Sequence, residues 1–376
     1  MRYLAGSIIL VSSFIGGNLS PLCSPPTIEI WHGTSQRIGH LGDGQDDFNV
    51  LGRALDPGNI QSVSYTLNGG ASKQLSITLW RRIAVFGDFN ADIPIRNMVT
   101  GINTIRIRAQ DKSGGVTEQV VTVEKVSTGS YPLPVNINWS AVSNPANVGQ
   151  YVDGQWGITE GGLQTLRTGY DRIFLIGQRT WKDFEVTVPV TILRVDPETS
   201  PISGPNGVGI ILRFTGHIIG GHRDFPDEQP KWGYQPFGAI GWLRFHHWNN
   251  GSGSAPSMEF YNGENDAAEG FGNYSINVGS TYIMKMRCVT LPDAPDGRAS
   301  TRYSYKIWRS GDAEPTAWSW EKVWTGSYAL RYGGAALLSH HVNVRFGNVS
   351  IVDLDAPSSI QNVSLVKPAS NVLLGL

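Results

Sequence analysis

"FGAIGWLRFHHWNN", residues 237–250, puts two tryptophans, an arginine and two histidines into one short run. Read with period two, Ile240, Trp242, Arg244, His246 and Trp248 share one face, and Gly241, Leu243, Phe245 and His247 share the other. A strand buried on both faces is Val/Ile-rich, and a solvated face has no use for indoles. The run therefore reads as a strand with one core side and one side that meets something planar and polar.

The same two-faced pattern recurs around it. In "GVGIILRFTGH" (207–217), Val208, Ile210, Leu212 and Phe214 oppose Gly209, Ile211, Arg213, Thr215 and His217. In "DFEVTVPVTI" (183–192), Phe184, Val186, Val188 and Val190 form the apolar face, and Asp183, Glu185 and Thr187 oppose it. "SMEFYN", "TYIMKMRCV", "RYSYKIWR" and "HVNVRFGNVSIV" add further strands, and no long segment keeps a helical period. The expectation is an all-β chain, with an antiparallel jelly roll of about a dozen strands over 135–356. Residues 28–126 read as short strands between turns. Asn68-Gly69-Gly70 gives a hairpin signal, and about seven strands in about 100 residues suit an immunoglobulin-like sandwich. "STGSYPLP" (127–134) is the expected linker, and 357–376 a short C-terminal tail.

Two resemblances accompany this reading. "FNVLGRALDPGNIQSVSYTLNGG", "GDFNADI" and "GINTIRIRAQDKSGGVTEQVVTV" resemble bacterial Ig-like, cadherin-like modules. "WKDFEVTVPVTI", "NGVGIILRFTGH" and "HHVNVRFGNVSIVDLD" resemble the concanavalin-A-like lectin/glucanase superfamily, in particular its laminin-G-like and 3-keto-disaccharide-hydrolase-like jelly rolls. The second resemblance implies a fold that hosts lectins, hydrolases, lyases and inert spacers alike, so it implies architecture more than activity.

Composition narrows the partners. The 376 residues carry 30 basic and 31 acidic side chains, a net charge of −1, which gives no basic bias toward nucleic acid. "MRYLAGSIILVSSFIGG" has the apolar run of a signal peptide, expected over 1–20, and no later stretch is long and apolar enough to span a membrane. A secreted or extracellular location is expected, a bacterial cell surface or periplasm included. Only Cys23 and Cys288 are present, and Cys288 alternates with Met284 and Met286 as a core thiol would.

The candidate ligand-binding residues are Arg213, His217, Trp232, Trp242, Arg244, His246 and Trp248. A sugar ring has an apolar C–H face that indoles pack against and a hydroxyl rim that Arg and His can hydrogen-bond. The loop "IIGGHRDFPDEQPKWGYQPFG" (218–238) lies between two of these strands and is expected to wall the groove, with His222, Arg223, Asp224, Asp227 and Glu228 near its mouth. Hydrolysis needs two carboxylates across the groove, and the tandem E-x-D-x-E strand of jelly-roll glucanases is missing. Asp183 with Glu185 is the nearest approach, with Glu259 as a further partner. A lyase would draw on Arg213, His217, Arg244, His246 and Tyr261 by type. Calcium is weighed at "DGQDDFN" (43–49), which has oxygen ligands but not the loop order of a calcium site, so a solvated turn is the default and no cofactor is expected. The leading expectation is a secreted protein that binds a polysaccharide or cell-surface glycan, with acidic glycans favoured by the Arg and His content. A carbohydrate-active enzyme using the same groove, and a structural surface or matrix protein, remain as alternatives, so whether the chain is an enzyme stays open.

Overall fold

The computed structural model describes residues 24–56, 59–197, 205–218, 229–233, 237–246, 255–261, 269–326 and 329–355. The expected signal peptide, Cys23, Trp248, the tail, and the loop residues His222 to Glu228 lie outside them. Within the described residues the chain is all-β apart from three 3-10 turns, and no helix is long and apolar enough to cross a membrane.

The first sandwich comprises β1 (Thr27–Ile30), β2 (Ser35–Ile38), β3 (Asp47–Leu55), β4 (Ile60–Leu67), β5 (Lys73–Leu75), β6 (Asp88–Pro94), β7 (Gly101–Asp111) and β8 (Val116–Lys125). Sheet β1-β3-β6 packs on sheet β2-β8-β7-β4-β5, in which β2 and β8 run parallel. Val50, Phe89 and Ala91 meet Val63, Ile105, Ile107 and Val121 in its core. The Asn68-Gly69 turn joins β4 to β5 with both residues at positive φ, 50° and 73°, as a tight hairpin turn of this kind requires.

The second sandwich opens with β9 (Val135–Ile137), β10 (Gln150–Tyr151), β11 (Trp156–Thr159), β12 (Gly162–Thr165) and β13 (Arg172–Ile176). Then come β14 (Phe184–Val195), β15 (Asn206–Phe214), β16 (Ala239–Phe245), β17 (Ser257–Tyr261), β18 (Glu269–Asn273) and β19 (Thr281–Leu291). It ends with β20 (Ser300–Arg309), β21 (Trp320–Thr325), β22 (Gly334–His340), β23 (Val342–Phe346) and β24 (Val349–Asp353). A seven-stranded sheet, β10-β13-β22-β15-β16-β17-β18, faces a nine-stranded one built on β11-β12-β23-β14-β19-β20-β21, with β24 and β9 alongside β14.

The core between these sheets follows the period-two reading. Val186 and Val188 of β14, Met284, Met286 and Cys288 of β19, and Tyr303 and Tyr305 of β20 point inward, against Val208 and Ile210 of β15 and Leu243 and Phe245 of β16. Cys288 is a buried free thiol. The polar faces of β14 and β20, which carry Glu185, Arg302 and Lys306, look outward from the nine-stranded sheet. They are thus not in the row that carries Trp242 on the seven-stranded sheet. The expected single strand over 341–352 breaks at Gly347-Asn348 into β23 and β24. There Gly347 N donates to Pro189 O, and Asn348 Oδ1 accepts from Trp139 N.

The outer face of the seven-stranded sheet carries a second apolar layer that includes Ile173, Leu175, Ile211, Ile240, Trp242 and Leu338. The first sandwich docks beside it through buried charge. Arg82, 2% exposed, donates to Asp92 at 3.0 Å, to Asp153 at 2.5 Å and to Val152 O at 3.0 Å. Arg172 reaches the other oxygen of Asp153. Burial alone would lower the Arg82 pKa, but the Asp92 and Asp153 carboxylates override it and raise it. Lys231 Nζ pairs with Asp47 at 2.7 Å, and Gln229 Oε1 accepts from Asp92 N at 2.8 Å. The described part of the 218–238 loop thus ties the second sandwich to the first.

Candidate functional site

The site grows from the pairing of β15 with β16. Gly209 lies opposite Trp242, Gly207 opposite Arg244, and Glu259 of β17 lies on the far side of Trp242. A Cβ on Gly209 would sit 2.4 Å from Trp242 Cβ and 2.2 Å from Gly241 O; one on Gly207 would sit 3.0 Å from both Trp242 Cε3 and Arg244 Cδ. The two glycines of "NGVGI" therefore make the floor on which the indole and the arginine stem lie. Above it the Arg244 guanidinium stacks on Trp242, 3.8 Å from the ring centroid.

From Trp242 the arrangement continues across the sheet and onto the first sandwich. His340, at the end of β22, meets Trp242 edge-on at 6.2 Å and Tyr170 at 4.9 Å. Its Nδ1 lies 2.8 Å from Asp171 Oδ1. Arg81, in the β5–β6 loop of the first sandwich, donates to Tyr170 Oη at 3.2 Å and lies over the Tyr170, Trp80 and Trp232 rings at 5.5, 5.5 and 4.3 Å. Trp80, Arg81, Tyr170, His340, Trp242 and Arg244 form one continuous aromatic and cationic line. At the other end, His246 Nε2 is 2.5 Å from Glu259 Oε1, which also accepts from Ser257 Oγ at 2.5 Å.

Exposure falls along this line. Trp80 is 40% exposed, and Leu79, Val85 and Phe86 of the same loop are also exposed, whereas Trp242 and Arg244 are 6% and 8% exposed. The bare trough expected from the sequence is thus open at the Trp80 end and closed over Trp242. Trp242 Nε1 is buried with no hydrogen-bond partner among the described residues, a costly state for an indole N–H. Burial, then the neighbouring His340, Arg172 and Arg244, lower the His341 pKa to about 2.

Other expected site residues lie elsewhere. Arg213 is fully buried and does not face the line. It is the extra residue of a β-bulge between Leu212 and Phe214, with φ +54°, which sends its side chain inward and Phe214 outward. There it pairs with Asp183 at 2.8 Å and donates to Lys182 O, Thr301, Thr290 and Leu330 O. His217 is buried against Phe214 and Phe237, and burial, then Arg82 and Lys231, push its pKa well down. Trp232 joins the line through Arg81, and Tyr261 packs at its apolar edge. Glu185 faces Arg287 and Lys285 on the opposite sheet, remote from Glu259. In "DGQDDFN", Asp43 and Asp46 both pair with Arg179, and Asp47 pairs with Lys231. Among the described residues no group of three or more His, Cys, Asp or Glu is placed to hold a metal ion.

Sequence reasoning missed Trp80, Arg81, Tyr170 and His340. The one available signal was the "LWRR" run (79–82), an indole beside two arginines in a turn-rich segment.

No family model and no curated protein matches the chain. Several solved structures are similar to it. The carbohydrate-binding module CBM66 from Bacillus subtilis is 16% identical, with TM-score 0.33, over 54% of this chain and 94% of that one. The lectin from Bauhinia forficata in complex with GalNAc is 10% identical, with TM-score 0.33, over 58% and 96%. The exoplasmic/lumenal domain of VIP36 in its Ca2+/Man2-bound form is 11% identical, with TM-score 0.33, over 64% and 97%.

Proposed function

We propose that this chain is a secreted glycan-binding protein, and that the open end of the line, at Trp80, Arg81 and Trp232, is its recognition surface. The observation that carries this reading is the Arg81 guanidinium set over the Trp80, Trp232 and Tyr170 rings at the open end of the line, where Trp80 is 40% exposed. Indole faces suit the C–H face of a sugar ring, and arginine suits its hydroxyls and any carboxylate. The Arg81 guanidinium beside Trp80 and Trp232 suits a carboxylate and favours an acidic polysaccharide over a neutral one. The first sandwich, whose strand order suits an immunoglobulin-like module, supplies part of the surface through Trp80 and Arg81.

Binding to pectate, alginate and a neutral glucan, measured by affinity electrophoresis, tests the reading. Trp80→Ala and Arg81→Ala should each weaken retention by the uronate polymers about five- to tenfold, the loss of one stacking or cation contact. Equal retention of the wild type and both variants would place recognition elsewhere.

A second reading, an enzyme acting on the same polymers, is favoured by the His246–Glu259 pair, whose carboxylate holds a half-exposed imidazole at 2.5 Å. A β-eliminating lyase would raise absorbance from unsaturated ends, and His246→Gln would abolish that signal. No rise with any uronate polymer removes this reading.

A further inference from the structure

A cavity of about 420 Å³ lies where the two sandwiches meet, on a different part of the seam from the aromatic line. The first sandwich contributes β2 and the 39–44 turn, and the second contributes residues 144–151. Its volume is that of a small-molecule pocket, about 300–1,000 Å³.

Its lining selects a chemistry. One wall is aromatic: the His32 and Tyr151 rings stack 3.5 Å apart and 3° from parallel. Phe48 and Leu175 add apolar surface. Hydrogen-bonding groups are left over. His40 Nε2 lies 3.0 Å from Ala146 O, while its Nδ1 is buried without a partner among the described residues. Asn144 Oδ1 accepts from Ala146 N at 3.0 Å and from Tyr151 Oη at 3.4 Å, and Asn144 is exposed at the cavity rim, so its amide can donate to a ligand there. The formally charged lining residues, Arg37 and Glu124, pair with each other at 3.0 Å. Burial, only partly opposed by the Gly154 carbonyl, lowers the His32 pKa to about 4, and burial lowers that of His40 as well. Both shifts favour the neutral imidazole.

Among the described lining residues an anion finds no unpaired cation, and a cation no unpaired carboxylate. A purely apolar ligand would leave the buried His40 Nδ1 unsatisfied. We propose that this cavity is a second ligand site, distinct from the aromatic line, which takes an uncharged, hydroxyl-rich ring molecule of sugar size held jointly by both sandwiches. An apolar ring face would lie along the His32–Tyr151 wall, and hydroxyls would meet His40 Nδ1 and the Asn144 amide.

Calorimetric titration of the full chain with cellobiose, maltose and methyl β-glucoside tests the site, with glucuronate as the charged comparison. At least one neutral probe should bind saturably and more tightly than glucuronate. Asn144→Ala should weaken it about fivefold, the loss of one hydrogen bond. Gln36→Trp, which fills the cavity from its rim, should abolish it, and Trp80→Ala should leave it unchanged. In the unmutated protein, amide shift changes on titration should concentrate in residues 32–49 and 144–151, a readout that needs no variant to fold. No saturable binding by any neutral probe, binding that survives Gln36→Trp, binding lost with Trp80→Ala, or shift changes centred elsewhere would each overturn the proposal. Loss through Trp80→Ala would assign the sugar to the aromatic line instead.

Discussion

Replacing Arg82 with methionine tests the seam between the sandwiches. The side chain has no exposed surface and holds two carboxylates and two carbonyls, those of Asp92, Asp153, Val152 and Lys231. Methionine approximates its length and removes every one of these bonds. Asp153 keeps Arg172, and Asp92 keeps Asn49 Nδ2 at 2.6 Å and Lys231 N at 2.7 Å, so neither carboxylate is wholly stranded. Breaking a buried pair typically costs about 3–5 kcal/mol, and these residual partners place the loss near 3 kcal/mol. For a cooperative unit of about 150–250 residues, that lowers Tm by about 6–12 °C. Scanning calorimetry reads the shift directly. Asp92→Asn added to Arg82→Met should recover part of it, because the uncompensated charge goes with the carboxylate. The half-buried neighbour Arg81→Met should cost about 1 kcal/mol or less. A Tm within about 2 °C of wild type for Arg82→Met, or no recovery from Asp92→Asn, would refute the view that this network holds the sandwiches together.

Gly209→Val drives a side chain into Gly241 O and Trp242 Cβ, so it should cost about 1–3 kcal/mol, with near-ultraviolet dichroism reporting the displaced indole. Acidification should destabilise the fold through His32 and His341, whose pKa values of about 4 and about 2 lie below the ordinary 6.5. Unfolding then takes up protons, so their contribution is complete above about pH 6.5 and falls as the pH drops toward 4, by up to about 1.4 kcal/mol per unit for each histidine. Urea midpoints at about pH 7.5 and pH 5 measure this; His32→Gln should reduce the slope, and a flat wild-type profile would contradict the assignment. In a Cys23→Ser background the Cys288 thiol, buried and with its pKa raised by burial, should react with a thiol reagent only on unfolding, and rapid labelling of the native protein would show the core to be open.

Legibility in the sequence tracked alternation. β14, β16, β19 and β20 each have one face in a core and a differing opposite face, and their inward residues fall where period two puts them. β13, "RIFLI", and β22, "GAALLSH", carry apolar residues on both faces, so their sequences show no alternation and stood out least. Tyr170, Asp171 and His340 sit on or beside those two strands, which is why that part of the line went unread. Arg213 fails for another reason. Period counting assumes an even ladder, and one extra residue at a bulge moves every later side chain to the other face. No local pattern announces such a bulge. Trp80 and Arg81 lie in the other sandwich, and only docking brings them to Tyr170.

The "LWRR" turn shows how one short segment serves both docking and recognition. Trp80 and Ile83 exchange backbone hydrogen bonds at 3.2 and 2.9 Å, so Arg81 and Arg82 are the two residues of a tight turn and must diverge. Arg82 enters the buried carboxylates, while Arg81 turns out beneath Trp232 and Tyr170. Arg81 does so at φ +49°, a left-handed conformation that glycine adopts without cost. Arg81→Gly should therefore separate the two roles. It removes the guanidinium from the aromatic line while relieving the backbone of about 1 kcal/mol. Retention by uronate polymers should fall about five- to tenfold, as for Arg81→Ala, while Tm holds or rises relative to Arg81→Ala. If Arg81→Gly lowered Tm as far as Arg82→Met does, Arg81 would belong to the seam and the recognition line would lose that cation.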